Sequence, residues 1–547
     1  MGERRLRLGI LLDSYDVPAW VYHALMRLAG SGCAEFSLVI LNAAQAPQRS
    51  RLAKLWAGRH ELAYNVFDRI DRRLFVKTPD ALAPKSLRAL LVGVPAIQVK
   101  TTREGGSHYF APTDAQRVKE YGLDVLIQMG FGPLQGAILA AARYGVWSYR
   151  HGDGKRYRGS PPGYWEVVEE CPETGSTLCI QGHGLEKVAY RSWTPTFRFS
   201  PACNRNGNLW VASEFLPRQV ERLYQLGAER FFAEIEALNH EFDYFCYRDR
   251  HIPTNGPALR LAARIWARVM GEVWDRACHR DQWYLAFDLS GSRSLAQFQE
   301  IVPPKDRAWA DPHIVQADGK YYVFIEEYLF HTGRGRLAVL EIDSEGRRTD
   351  PVPILEKDYH LSYPFVFNWE GRYYMVPESA ENRTIDLYEC TRFPDQWVLK
   401  MTLMENILAV DATLLRYRGK WWLFAATAQN NGAFPPVELS LFHADELCTK
   451  DWAPHPLNPV ISDAKSARPA GRIIARNGKL FRPSQDCSRT WGYGFNINEI
   501  LALSETEYAE RRVAHVQPHW SRRLQATHTF AQEGQLTMID ICRRRPR

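Results

Sequence analysis

Between residues 311 and 540 an alternating pattern of apolar and polar positions returns five times. Each copy has a polar or proline-containing start, an apolar run, a glycine about eight residues in, and an aromatic-rich second run. The copies read ADPHIVQADGKYYVFIEE, SYPFVFNWEGRYYMVPES, VDATLLRYRGKWWLFAAT, ARPAGRIIARNGKLFRPSQ and ATHTFAQEGQLTMIDI. Their glycines are Gly319, Gly371, Gly419, Gly478 and Gly534, so the gaps are 52, 48, 59 and 56 residues. That period predicts a radial array of four-stranded antiparallel sheets, a five-bladed β-propeller. The Asp-Gly, Glu-Gly, Arg-Gly and Asn-Gly pairs supply the positive φ that a tight hairpin needs.

The first 200 residues have another rhythm. LRLGILLDS, FSLVILNAA and GLDVLIQMGFG read as buried strands, and helical stretches at Pro18 to Leu28 and APTDAQRVKEYG alternate with them. Such alternation predicts a mostly parallel, Rossmann-like sheet covered on both faces, with ligands at the carboxyl ends of its strands. The loops there are LDSYDVPAW, MGFGPLQ and RHGDGKRYRG, without a dinucleotide or Walker phosphate fingerprint. From about 205 the apolar residues fall at helical spacing, as in Leu259, Leu261, Ile265, Trp266, Val269, Val273 and Trp274. The chain therefore reads as multidomain, α/β plus all-β: an α/β domain over 1–204, a helical connector over 205–280 and the propeller over 281–547. WYLAFDL (Trp283 to Leu289) is expected to close the ring against the last blade.

Composition narrows the class. A length of 547 residues exceeds one ordinary core, and 45% hydrophobic with 24% charged residues is a globular balance. The net charge of +7 is spread along the chain, so no nucleic-acid partner is expected. Ten cysteines without a CxxC pair point to reduced thiols rather than a disulfide framework or zinc site. The N-terminus is too short in its apolar part for a signal peptide, and no run reaches a membrane span. A cytoplasmic location is the expectation. Peripheral membrane contact stays open, because the aromatic, Arg-containing stretch near 259–274 fits either a surface helix or a packed strut.

In a propeller the first strand of every blade lines the channel, so the starts of the copies converge on one mouth. Eight residues before each glycine stand Asp311, Tyr363, Asp411, Ala470 and Ala526. Aspartates at strand starts also cap turns, but other acids cluster at matching places. Glu326 and Glu327 end the second strand of blade one, and Glu378 that of blade two. Asp311, Asp411, Glu378 and Glu327 form the candidate catalytic set. Arg468, Arg482, Gln485, Tyr363 and His360 are the candidate substrate contacts. Tyr321, Tyr322 and Trp421 alternate like core residues.

Residues 122–188 resemble the core of the formyltransferase fold, through GVWSY, the basic aromatic YRG (Tyr157, Arg158, Gly159) and TGST (Thr174 to Thr177). That family works with an Asn and a His two residues apart and a later Asp. Here those positions fall on Ser148, Arg150 and Glu186, with His151 one place late. Arg stays protonated and cannot act as the base. The resemblance therefore implies the fold and a ligand site at His151, Asp153, Tyr157 and Arg158, with 10-formyltetrahydrofolate not expected as cofactor. A structural loop and a sugar N-formyltransferase are the other readings.

The propeller resembles the glycoside hydrolase superfold of arabinanases, xylosidases and fructosidases, whose general base and pKa-tuning aspartate match ADP (Ala310 to Pro312) and VDA (Val410 to Ala412). HLSYPFVF, MVPES, SARPAG and RPSQDC resemble more narrowly the propeller of plant glucosamine inositolphosphorylceramide transferases and their bacterial relatives. In the plant protein the glycosyltransferase domain lies elsewhere, and no such third domain is read here. The hydrolases' acid, a glutamate at the start of blade four, is replaced by Ala467-Arg468-Pro469-Ala470-Gly471. Inverting hydrolysis then lacks a proton donor. A nucleotide-sugar donor would not need one if Arg468 and Arg482 held the leaving phosphate, with Asp311 as base. The expectation is glycosyl transfer in surface polysaccharide or glycolipid synthesis, without a metal. A catalytically degenerate glycan-binding or scaffold protein is the alternative.

Overall fold

Short apolar runs of the first 200 residues form one mixed sheet. Its strands are β1 (Leu6–Leu12), β2 (Ala34–Asn42), β3 (Ala96–Val99), β4 (Val125–Gln128), β5 (Val146–His151), β6 (Glu173–Gln181) and β7 (Lys187–Pro195). The order is β7-β6-β5-β4-β1-β2-β3, parallel from β5 to β3 and antiparallel from β5 to β7. Helix α1 (Ala19–Gly30) buries Trp20, Val21, Ala24, Leu25 and Leu28, the spacing of one helical face. Helix α2 (Pro112–Glu120) covers Leu11, Leu38, Ile40 and Leu126 through Ala115 and Val118. The computed structural model describes residues 4–43, 59–77, 79–152, 157–182, 186–240, 248–292, 294–433 and 435–547.

Two compact units result, Met1–Arg268 and Val269–Arg547. A separate connector over 205–280 is not formed. Helix α3 (Pro201–Ala212), started by Ser200 accepting the Cys203 N–H, and helix α4 (Phe215–His240) pack on β6, β7 and α1 of the first unit. Helix α5 (Asn255–Cys278) contains the boundary. No helix among the described residues is long and apolar enough to cross a membrane.

The second unit consists of five antiparallel sheets in succession, as the repeat predicts. The first holds β8 (Arg307–Ala317), β9 (Lys320–Leu329), β10 (Arg334–Ile342) and β11 (Val352–Leu355). The second holds β12 (Ser362–Trp369), β13 (Arg372–Ser379), β14 (Thr384–Arg392) and β15 (Gln396–Glu405). In the third are β16 (Leu408–Tyr417), β17 (Lys420–Ala428), β18 (Glu438–Ala444) and β19 (Ala453–Pro454). The fourth contains β20 (Ile474–Arg476), β21 (Lys479–Asp486), β22 (Gly494–Leu503) and β23 (Tyr508–Val516). The fifth is built from both ends of the unit. His279–Asp288 pairs with β25 (Leu536–Pro546), which also pairs with β24 (Phe530–Glu533). Trp283 stands opposite Cys542 and Phe287 opposite Met538, so WYLAFDL closes the array as expected.

The first hairpins turn on residue pairs with positive φ, such as Asp318 (50°) with Gly319 (74°) and Asn477 (51°) with Gly478 (72°). Those values are the mirror-image turns that match strand twist. The starts of successive sheets meet. The Arg472 guanidinium donates to the carbonyls of Val366 (2.6 Å) and Ile314 (3.5 Å), on β12 and β8. The Tyr363 hydroxyl accepts from the Gly471 N–H at 2.8 Å, and it hydrogen-bonds Thr413 Oγ1, also at 2.8 Å, whose own proton goes to the Asp411 carbonyl. Tyr321, Tyr322 and Trp421 are core.

Candidate functional site

A β-bulge recurs at the start of three sheets. Pairing slips between Ala310 and His313, between Ser362 and Phe365, and between Val410 and Thr413. The first residue of each slip has left-handed backbone: Asp311 at φ 52°, Tyr363 at 44° and Asp411 at 55°. A bulge re-aims the side chain it carries, and such strain is kept where the surroundings hold it. These are the residues eight before the turn glycine.

A cavity of about 690 Å³ opens above the bulges. Asp311, Glu326, His360, Glu378, Arg468, Gln485 and His528 line it, with Trp283, Tyr328, Phe330 and Trp491 as its aromatic walls. Asp311 accepts from His528 Nε2 (2.9 Å), Thr529 Oγ1 (2.9 Å) and the Tyr363 N–H (3.2 Å). Burial alone would raise its carboxyl, but the His528 charge and these donors hold it well below the usual carboxylate range. His528 lies between two carboxylates, with Nδ1 3.2 Å from Asp540. Burial disfavours its charge, yet Asp540 and Asp311 raise its pKa to about 9. Asp311, His528 and Asp540 also stand close enough to hold a cation among them, but the protonated imidazole already fills that role.

A second group of charges gathers around Arg468. Arg468 Nη2 is 3.4 Å from both Glu378 Oε2 and Asp411 Oδ1, and its Nε binds Asp411 Oδ2. Its guanidinium also lies 4.5 Å from the centre of the Trp491 ring. Burial and the nearby Asp411 charge push Glu378 well above the carboxylate range, against the pull of Arg468. Glu326 is raised likewise, by burial and by Asp311, Glu378, Asp540 and Asp411. The cavity thus sets Asp311, whose carboxyl is shifted down, against Glu326 and Glu378, whose carboxyls are shifted up. That combination allows one group to hold positive charge while another supplies a proton.

Several candidates lie elsewhere. Glu327 is buried on the other face of β9, accepting from Arg307 Nη1 (3.0 Å), Trp309 Nε1 (3.2 Å) and Arg336 Nη2 (2.7 Å). Strand alternation gives the cavity face to its neighbour Glu326. Arg482 is sealed at 1% exposure in a bidentate pair with Glu510 at 2.7 and 2.8 Å, so it serves the fold of the fourth sheet. Tyr363 is fully buried and ties sheets together. Asp411, at 1% exposure, lies under the floor and anchors Arg468 and Gln485, whose Nε2 donates to it at 2.9 Å. His528 and Asp540 escaped the eight-residue count because β24 is short and carries no bulge. The signal available was THT beside the fifth copy's start.

In the first unit His151 packs edge-on to Trp20 (5.7 Å) and stacks on Tyr149 (6.3 Å). Burial pushes its pKa down to about 4. Arg150 pairs with Glu186 at 2.8 Å, a fixed charge pair where formyl transfer would need a neutral imidazole. Asp153 lies outside the described residues. Tyr157 and Arg158 form a short strand paired with Arg248–Arg250.

Residues 299–535 match the family model described as glucosamine inositolphosphorylceramide transferase 1, N-terminal. The rice protein of that name (Oryza sativa subsp. japonica) is 34% identical over 204 residues, covering 37% of this chain and 27% of the relative. The Arabidopsis thaliana protein is 32% identical over 207 residues, with the same two coverages. The chain spans about a quarter of the length of these curated relatives. Among solved structures, the catalytic domain of a Coprinopsis cinerea family 62 α-L-arabinofuranosidase covers 44% of this chain and 94% of its own, at 11% identity and TM-score 0.35. A family 117 glycoside hydrolase from Zobellia galactanivorans covers 44% and 85%, at 12% identity and TM-score 0.31.

Proposed function

We propose that the cavity is a glycosyl-transfer site acting on a carbohydrate in glycolipid or surface-polysaccharide synthesis. The observation that carries this reading is the convergence of Asp311, Glu326 and Glu378 on one aromatic-lined cavity inside the segment that matches the transferase family, with the Asp311 carboxyl shifted down and the other two shifted up. In the reaction Asp311 holds the positive charge that develops at the anomeric carbon and takes the acceptor's proton as the new bond completes. Arg468, paired with Asp411, positions hydroxyls rather than a phosphate. Trp283, Tyr328, Phe330 and Trp491 supply aromatic surface for the apolar patches of a sugar.

The test is turnover with panels of sugar nucleotides and of glycosides, wild type against Asp311→Asn. The variant keeps the volume of the side chain and removes the charge. Its expected rate is about 10²–10³-fold lower, the loss typical when one preorganised electrostatic partner is removed, with folding intact by circular dichroism. Glycan binding without turnover in the wild type would instead favour a binding or scaffold module. Consumption of 10-formyltetrahydrofolate would favour N-formyl transfer in the first unit.

A further inference from the structure

We infer that Glu326 is the proton donor of this cavity, delivering its carboxyl proton to the glycosidic oxygen as the C1–O bond breaks. The inference rests on the glycosyl-transfer reading and narrows its donor substrate. The start of the fourth sheet carries no acid, and Glu378 is engaged with Arg468 and Asp411. Glu326 is differently placed. Its Oε1 lies 3.5 Å from His360 Nε2, and among the described residues its Oε2 has no hydrogen-bond partner. The Gly335 N–H donates to His360 Nδ1 at 2.9 Å, so Nδ1 carries a lone pair and the ring proton sits on Nε2, facing Glu326. One carboxyl oxygen is thus set beside His360 and Gly335, and the other is left to the cavity.

The close approach requires glycine at 335. A Cβ there would stand 2.5 Å from Glu326 Oε1 and 2.8 Å from His360 Cε1. His360 is thus a positioning residue, and burial keeps its ring neutral. The charged and titratable groups facing Glu326 are Asp311, Glu378, Asp411 and Asp540, against which a second carboxylate would be repelled.

The C1–O pair leaves with the oxygen, which takes the Glu326 proton and departs as an alcohol. The acceptor hydroxyl forms the new C1–O bond and gives its proton to Asp311; solvent then takes that proton from Asp311 and returns one to Glu326. An acid is needed only where the leaving oxygen is that of an alcohol. Among the described residues both cations of the cavity, Arg468 and His528, are already paired with carboxylates. The preferred donor is therefore a glycoside, such as a glycolipid head group or oligosaccharide, rather than a sugar nucleotide.

Two measurements on the full chain test this. The first is infrared spectroscopy at neutral pH, where a protonated-carboxyl C=O band should vanish in Glu326→Gln and persist in Glu378→Gln. No such band at Glu326 overturns the proposal. The second is kinetics with aryl glycosides of graded leaving-group acidity. Glu326→Gln should slow poor leaving groups by about 10²–10⁴-fold and leave dinitrophenyl glycosides nearly unchanged. Equal loss across the series, or sugar nucleotides as the sole donors, overturns the donor role while glycosyl transfer stands. Turnover of neither class by the wild type, with the band present, removes the glycosyl-transfer reading and this assignment with it.

Discussion

His528 carries its charge because two carboxylates outweigh its desolvation, and this makes the site sensitive to base. Its folded pKa of about 9 lies above the ordinary value of 6.5, so the folded state binds its proton more tightly than the unfolded chain. The stabilisation is complete below about pH 6.5 and is lost as pH rises through about 9. Melting temperature should therefore fall across that window in the wild type and fall less in His528→Gln; equal slopes would refute the ion triad. The same scale explains which site residues could be read beforehand. Asp311 was found because a bulge sits at a fixed distance from a turn glycine. Glu326 could not be separated from Glu327, since β9 is apolar on both faces up to them and nothing in that pattern marks the face that meets the cavity.

At the level of elements, three bulges and one close backbone contact give the array its centre. Gly471, at φ 136°, lies where a Cβ would come 2.1 Å from the Phe530 carbonyl oxygen. That oxygen is on backbone and cannot swing away. Gly471→Ala should cost at least about 1–3 kcal/mol through overpacking, read as a lower urea midpoint. It should also disturb the Tyr363 hydroxyl, which Gly471 holds. An unchanged midpoint would show that the fourth and fifth sheets approach less closely than described. The hairpins were legible because their Asn-Gly and Asp-Gly pairs act through local backbone chemistry alone. The helices after residue 205 were legible as helices but not as part of the first unit, because periodicity shows an apolar face and not its partner.

Over the whole chain, the second unit depends on its last strand. β25 joins His279–Asp288 through pairs from Thr537 to Pro546 and carries Asp540 beneath the cavity. Deleting residues 536–547 should abolish cooperative unfolding of the β unit in urea; a retained native transition would mean that the array closes without it. The sequence by itself determined the five-fold repeat, its turns, the α/β character of the first part and the offset at which strained residues occur, all consequences of period and local φ. Only the tertiary structure decided which acids share a cavity and which of them keep a proton, because both depend on burial and on charges brought together from separate sheets.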